Sequence, residues 1–145
     1  MHPHRDGLTV PSVSQHQAKY KSNRAFLNSG VVLSQPEWGA VVAFYSAVHL
    51  VEKLAALDSA GKIHHRTHVQ REIWLRTHRR FKAIYNDYET LKDASLLSRY
   101  GTINQFEQAY DSASVQSQLI DVHLAAIEAY VHLLTSPPSP PAKES

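Results

Sequence analysis

The sequence predicts an all-α domain, an up-and-down four-helix bundle with room for one extra short helix. Three observations lead there. Apolar residues recur at steps of three and four, and no run alternates with the period of a strand. Serines, a glycine and prolines sit where helices start and stop. The chain has 145 residues, 43% of them apolar, which suits one domain around one core.

Residues 1–13, "MHPHRDGLTVPSV", are polar with two prolines and are expected to form a loose arm. The helical bundle is expected over 14–135. Its first helix should run from about Ser14, an N-cap, to Ser29, with Gly30 as a left-handed stop. Its inner stripe would be His16, Tyr20, Asn23 and Leu27, polar for a core face. The second helix should start at Pro36, tolerated in a first turn, and reach about Leu57. Its centre, "WGAVVAFYSAVHLV", is apolar nearly all round and must be covered on more than one side. "DSAGK" is a turn.

The third helix should start near His65 and continue to about Ser98. Val69, Ile73, Thr77, Phe81, Ile84, Tyr88 and Leu91 would form its inward stripe. "SRYGT" breaks that pattern, and "INQFEQAYDSAS" is a connection with space for a short helix. The fourth helix should run from about Ser114 to Leu134, capped by Ser112 or Ser114. "SPPSPP" ends it, and residues 136–145 form a Pro/Ser tail expected to be disordered.

Composition removes several chemistries. There is no cysteine, so disulfides, zinc thiolates and cysteine nucleophiles are excluded. The N-terminus has no apolar h-region, so no secretory signal is expected. The most apolar run, Trp38 to Val51, is shorter than the ~20 residues of a membrane span and contains His49. A cytoplasmic protein without membrane attachment is the expectation.

The net charge of +2 names no partner, but its distribution does. Lys62 to Lys82 holds seven Lys and Arg residues against a single acid, Glu72. Arg66, Arg71, Arg76, Arg79, Arg80 and Lys82 could each neutralise a phosphate and release a counterion. A solvated helix face is the plainer alternative.

Arg71 and His78 stand seven residues apart, ~700° or nearly two turns of a continuous helix, and so would share one face. Trp74, Leu75 and Tyr85 fall near that face and away from the inward stripe. Apolar residues there suggest a dimer contact, where the pair would meet its symmetry mates. Histidine can move a proton to or from a ribose hydroxyl, and arginine can stabilise charge on a pentacoordinate phosphorus, with no metal. Among ten histidines and eight arginines, chance yields roughly one or two such spacings. The pair could equally be solvated or structural.

Metal ligation has weaker support, and neither metal nor cofactor is expected. His64, His65 and His68 form a short cluster. His49 and Glu52 are one turn apart in the reverse of the di-iron order. His49, His68 and His123 could meet from three helices. His16, Asn23, His49, Arg99 and Tyr100 are expected to form a buried polar network that fixes helix register.

"AKYKSNRAFLNS", then "PEWGAVVAFYSAVHLVEKLAA", a histidine-led basic helix and "IYNDYETLKDASLLSRYG" together resemble the HEPN domain superfamily. The likeness is to small stand-alone prokaryotic members and spans roughly Gln15 to Leu134. It implies a four- or five-helix bundle that pairs into homodimers, here through the second and third helices. Many members are metal-independent endoribonucleases with an arginine, a polar residue and then a histidine at a dimer cleft. Arg71 and His78 match that motif, with Glu72 where Asn, Asp or His is usual. Other members bind nucleotides or serve as interaction modules, including partners of antitoxins. The expected function is therefore RNA or nucleotide binding on the basic helix, with cleavage by Arg71 as phosphate clamp and His78 as acid/base where the motif is active. A non-catalytic interaction module and a metal-dependent bundle hydrolase are the alternatives.

Overall fold

A computed structural model describes residues 11–136, and within them the chain is all-α with no strand. The expected arm up to residue 10 and the tail beyond 136 lie outside the described residues.

Helix α1 covers Val13–Phe26. Ser12 rather than Ser14 caps it, in a reciprocal box: Gln15 N–H donates to Ser12 Oγ (3.1 Å) and Ser12 N–H to Gln15 Oε1 (2.7 Å). Helical turns carry on through Leu27–Val31 and Val32–Ser34, with Gly30 at φ 95° marking the kink. That left-handed angle is open to glycine at little cost. Helix α2 is Pro36–Asp58, one residue longer than expected, and starts on its proline.

Helix α3 is His68–Thr77, capped by Thr67 Oγ1. A 3-10 turn, Lys82–Ile84, leads into helix α4, Tyr85–Tyr100. Helix α5, Ile103–Ala109, fills the connection with the short helix for which there was room. Residues 112–135 form helix α6: a capped turn at Ser112–Ser114, a π-helical stretch Val115–Leu124 and the α-helix Ala125–Thr135.

Helix α2 is the centre, with α1, α4 and α6 packed around it. Phe44, Val51 and Leu54 of α2 meet Leu75, Tyr88, Leu91, Leu119 and Ile127 in one core. By length and composition α2 could cross a membrane, but 72% of its most apolar window is buried by the other helices, as in a core helix. Between α1 and α6, Glu128 accepts from the Tyr20 hydroxyl and pairs with Arg24 Nε at 3.1 Å. The expected inner stripe of α1 holds in outline: His16 and Leu27 are buried and Tyr20 packs on the core.

The long third helix is corrected. It ends at Thr77, because His78 leaves the helical region at φ −81°, ψ 125°. His78 Nδ1 accepts the Arg80 N–H (3.1 Å), and its ring stacks on Phe81 at 4.3 Å between centroids. The break makes the phase of α4 useless for α3. Phe81, Ile84, Tyr88 and Leu91 are buried as expected, but Val69 (64% exposed) and Ile73 (48%) face outward. Leu75 is buried, and Trp74 and Tyr85, half-buried, pack on this chain's own core.

"SRYG" is a helix stop. Gly101 N–H donates to Leu97 O (2.9 Å), and a Cβ on Gly101 would lie 2.6 Å from that same oxygen. Gly101→Ala should therefore cost about 1–3 kcal/mol through forced backbone movement. Urea unfolding measures it; an unchanged midpoint would show that the stop relaxes freely.

Candidate functional site

The polar residues of α1, α2, α3 and the loop at 59–67 converge on one carboxylate. Glu52 sits in the apolar stretch of α2 and is 1% exposed. A buried carboxylate needs charge-assisted partners. Arg71 Nε donates to its Oε2 at 2.7 Å, and His65 Nδ1 lies 2.9 Å from the same oxygen. The His65 backbone N–H donates to Oε1 at 2.8 Å. Burial raises the Glu52 pKa, but the His65 and Arg71 hydrogen bonds and the Arg71 charge outweigh it, so the carboxyl is held below its ordinary range.

Arg71, only 5% exposed, engages all three of its guanidinium nitrogens inside the protein. Besides Glu52 it donates from Nη1 to His68 Nδ1 (2.9 Å) and the Tyr88 hydroxyl (3.2 Å), and from Nη2 to His65 O (3.2 Å). An arginine donor at its Nδ1 requires His68 to be neutral there, and burial followed by the Arg71 charge lowers the His68 pKa accordingly. Tyr88 is fully buried, and its hydroxyl is pushed up, chiefly by desolvation.

On the α1 side, His16 Nδ1 lies 3.2 Å from His49 Nδ1, and the His16 ring stacks on His64 at 5.3 Å between centroids. His16, His49 and His64 line a groove of about 560 Å³ together with Gln15 and Lys19. Burial lowers the His49 pKa to about 4, with nearby His16, Lys19 and Arg71 adding to it and Glu52 opposing. Among the described residues, the one grouping able to hold a metal is His16, Glu52 and His64, whose ligand atoms lie within 4.8 Å of one another.

His78 is elsewhere. Its Nε2 bonds Asp58 Oδ2 (3.0 Å) while Nδ1 accepts from Arg80 N–H (3.1 Å). Both ring nitrogens are thus engaged, and Trp74 stands against it at 5.1 Å between centroids. Arg71 and His78 share no helical face, because His78 lies beyond the end of α3. Arg76, Arg79, Arg80 and Lys82 are exposed around that end, whereas Arg66 is exposed before the start of α3. Ten helical residues separate the two ends by about 15 Å. Glu72, the acid in the strip, is taken up by Lys92, which also pairs with Glu89 at 2.9 Å.

The expected buried network splits. His16 and His49 interact, and Asn23 is only half-buried. Arg99 and Tyr100 are on the surface: Tyr100 is 76% exposed, and Arg99 donates to the Tyr45 hydroxyl at 3.1 Å. They flank the end of α4, where the core has already closed. His123 pairs with Asp87 at 3.0 Å and is no member of the metal-capable group. Sequence reasoning missed Glu52 as the hub. An acid inside "AVHLVEKLAA" was the available signal, since such a residue must find a buried cation.

Removing one partner of this pair leaves a buried charge alone. Glu52→Ala and Arg71→Ala should each cost about 3–5 kcal/mol in urea unfolding. A loss under about 1 kcal/mol for both would show that the pair is not a structural hub. His49 supplies a pH dependence. Its folded pKa lies below the unfolded value of 6.5, so the unfolded chain binds more protons between pH 6.5 and about 4. Stability should be full above 6.5 and fall as pH drops through that window, and the fall should be shallower in His49→Gln. Identical melting profiles for the two proteins would remove His49 as its source. Comparisons with protein-family models, with curated proteins and with solved structures gave no match to this chain.

Proposed function

We propose that the chain is a HEPN-like four-helix module that binds RNA or a nucleotide phosphate at the C-terminal end of α3 and does not cleave it through Arg71 and His78. The observation that carries this is the exposure of Arg76, Arg79, Arg80 and Lys82 within seven residues, while the strip's acid, Glu72, is held by Lys92. Side chains this close present a multivalent cation to a phosphate backbone. Asp58 offsets part of it, through Arg80 at 3.5 Å and His78.

Cleavage loses support from the same geometry. A phosphate clamp needs free guanidinium donors, and Arg71 spends its own on Glu52, His68, Tyr88 and His65. A general acid/base needs a ring nitrogen open to substrate, and His78 offers both of its nitrogens to Asp58 and Arg80. Homodimerisation belongs to the same proposal, now through Val69 and Ile73, which stand outward one turn apart on α3. Light scattering decides it, and a monomer at all concentrations would exclude it.

Fluorescence anisotropy with a labelled single-stranded RNA tests the binding. Affinity should fall with salt, and the Arg76→Ala/Arg79→Ala/Arg80→Ala variant should flatten the log–log salt slope by about 2. RNA incubated with the wild-type chain in EDTA should stay intact. No affinity at low salt, or an unchanged slope in the variant, would reject the binding face. Cleavage that vanishes in His78→Ala would restore the nuclease.

A further inference from the structure

The groove beside α1 and the Glu52 hub share an unexplained feature. His16 is 3% exposed, yet its Nε2 has no hydrogen-bond partner, and the buried Nδ1 of His64 makes no hydrogen bond although it lies 3.3 Å from Glu52 Oε1. Orphaned buried polar atoms are costly and rare. The two residues belong, with Glu52, to the one grouping among the described residues in which one potential ligand atom from each of three residues lies within 4.8 Å of the others. From these residues we infer that His16, His64 and Glu52 bind one zinc(II) ion, with the remaining coordination position open to the groove.

The hydrogen bonds around the three residues prepare each for that role. His16 Nδ1 meets His49 Nδ1 at 3.2 Å, so one of the two nitrogens carries the proton. When His16 donates there, its Nε2 is a bare lone pair, the form a metal takes. Metal-binding histidines are oriented in this way by a partner at the other nitrogen. The opposite assignment would bury an N–H at Nε2 with nothing to receive it. Glu52 keeps Oε2 for Arg71 and the His65 ring, while Oε1 accepts only the His65 N–H. A lone pair on Oε1 therefore remains, and His64 Nδ1 lies 3.3 Å from that oxygen.

The spacing suits a small ion. Zinc–nitrogen and zinc–oxygen bonds of about 2.0–2.2 Å in a tetrahedron set ligand atoms about 3.4 Å apart. His64 Nδ1 and Glu52 Oε1 already have that bite at 3.3 Å, and a rotation of the His16 ring from within 4.8 Å would close the two edges it makes. Two imidazoles and one carboxylate form a set that zinc accepts and that calcium or magnesium, which prefer all-oxygen shells, do not.

Charge decides what the fourth ligand is. Arg71 already balances Glu52, so the site with its ion carries about two positive charges, as three neutral imidazoles would give. An anionic oxygen, hydroxide or a phosphoryl or carboxyl group entering by the groove, is the complementary ligand. The groove that admits it is the one lined by His16, His49 and His64. This site is separate from the cationic end of α3, and neither depends on the other.

The full-length chain, stripped with EDTA and dialysed, is titrated with zinc chloride by calorimetry and with cobalt(II) by visible absorption. His2→Ala/His4→Ala is the background, because "MHPH" would compete for metal. One equivalent should bind with micromolar affinity or better, and cobalt should give the intense bands of a four-coordinate ion. His64→Ala should abolish this without loss of helical circular dichroism, since His64 stands outside the helices and is only part-buried. His16→Ala should do the same, and His49→Ala should weaken binding about tenfold or more. The inference fails if no saturable equivalent binds. It also fails if binding persists in both His16→Ala and His64→Ala, which would place the metal on other histidines.

Discussion

The Glu52–Arg71 ion pair is the constraint on which the rest of the structure depends. Helix α2 is apolar enough to form a core by itself, and one carboxylate inside it has to be neutralised without water. Arg71 comes from α3, a short helix with little apolar surface of its own: among its residues only Arg71 and Leu75 are buried. Propensity and apolar burial would hold such a helix weakly. What docks it is the guanidinium, spread over α2 (Glu52), the loop (His65 O) and α4 (Tyr88). Ser59 Oγ, accepting the N–H groups of Lys62 and Ile63, starts the loop, and Glu52, accepting that of His65, fixes its far end. A pair of this kind contributes little net stability relative to well-packed apolar residues. Its effect is positional, because one guanidinium ties α3 to α2, the loop and α4 at once.

Much of the fold was legible in the sequence, and the reasons are local. Pro36 and Asp58 bound α2 almost where an N1 proline and a polar "DSAGK" turn place them. Gly30 takes the left-handed angle its position implies. The connection holds the short helix for which its length left room. The break after Thr77 had no such mark. "RTHRRFKAI" contains neither glycine nor proline, and its apolar spacing survives the break because a 3-10 turn also steps by three. The turn is made by a histidine acting on the backbone, Nδ1 to Arg80 N–H, with Phe81 and Trp74 holding the ring. Propensity does not see an interaction of that kind.

The error in the functional site follows from the error in the helix. Once His65 to Ser98 is taken as one helix, Phe81, Ile84, Tyr88 and Leu91 set the phase and put Arg71 on the outer side. In the protein that phase stops at Ile84, and Arg71 points to the core. Of the polar set expected to be buried, His16 and His49 come together, whereas Arg71, Glu52 and His65, which form the hub, were not in it. What the sequence could not supply was depth, because an arginine and a histidine read the same in a solvated strip and in a buried network. Glu52 offered the depth cue, as an acid in the middle of the most apolar helix.

Two histidine populations result, and their chemistry differs. His78, at the rim, has both nitrogens engaged and is a backbone-capping residue. His16, beside the groove, keeps a buried nitrogen with no partner, His64 sets its Nδ1 3.3 Å from Glu52 Oε1, and His49 stays neutral well below its ordinary range because burial opposes its charge. In the two proposals, the imidazoles next to the Glu52 carboxylate would take a cation, whereas the arginines at the end of α3 would take an anion. The Glu52–Arg71 pair keeps the two apart. It consumes the strip's one inward arginine, so the outward ones are left to act without it, and it neutralises one oxygen of Glu52 while leaving the other available.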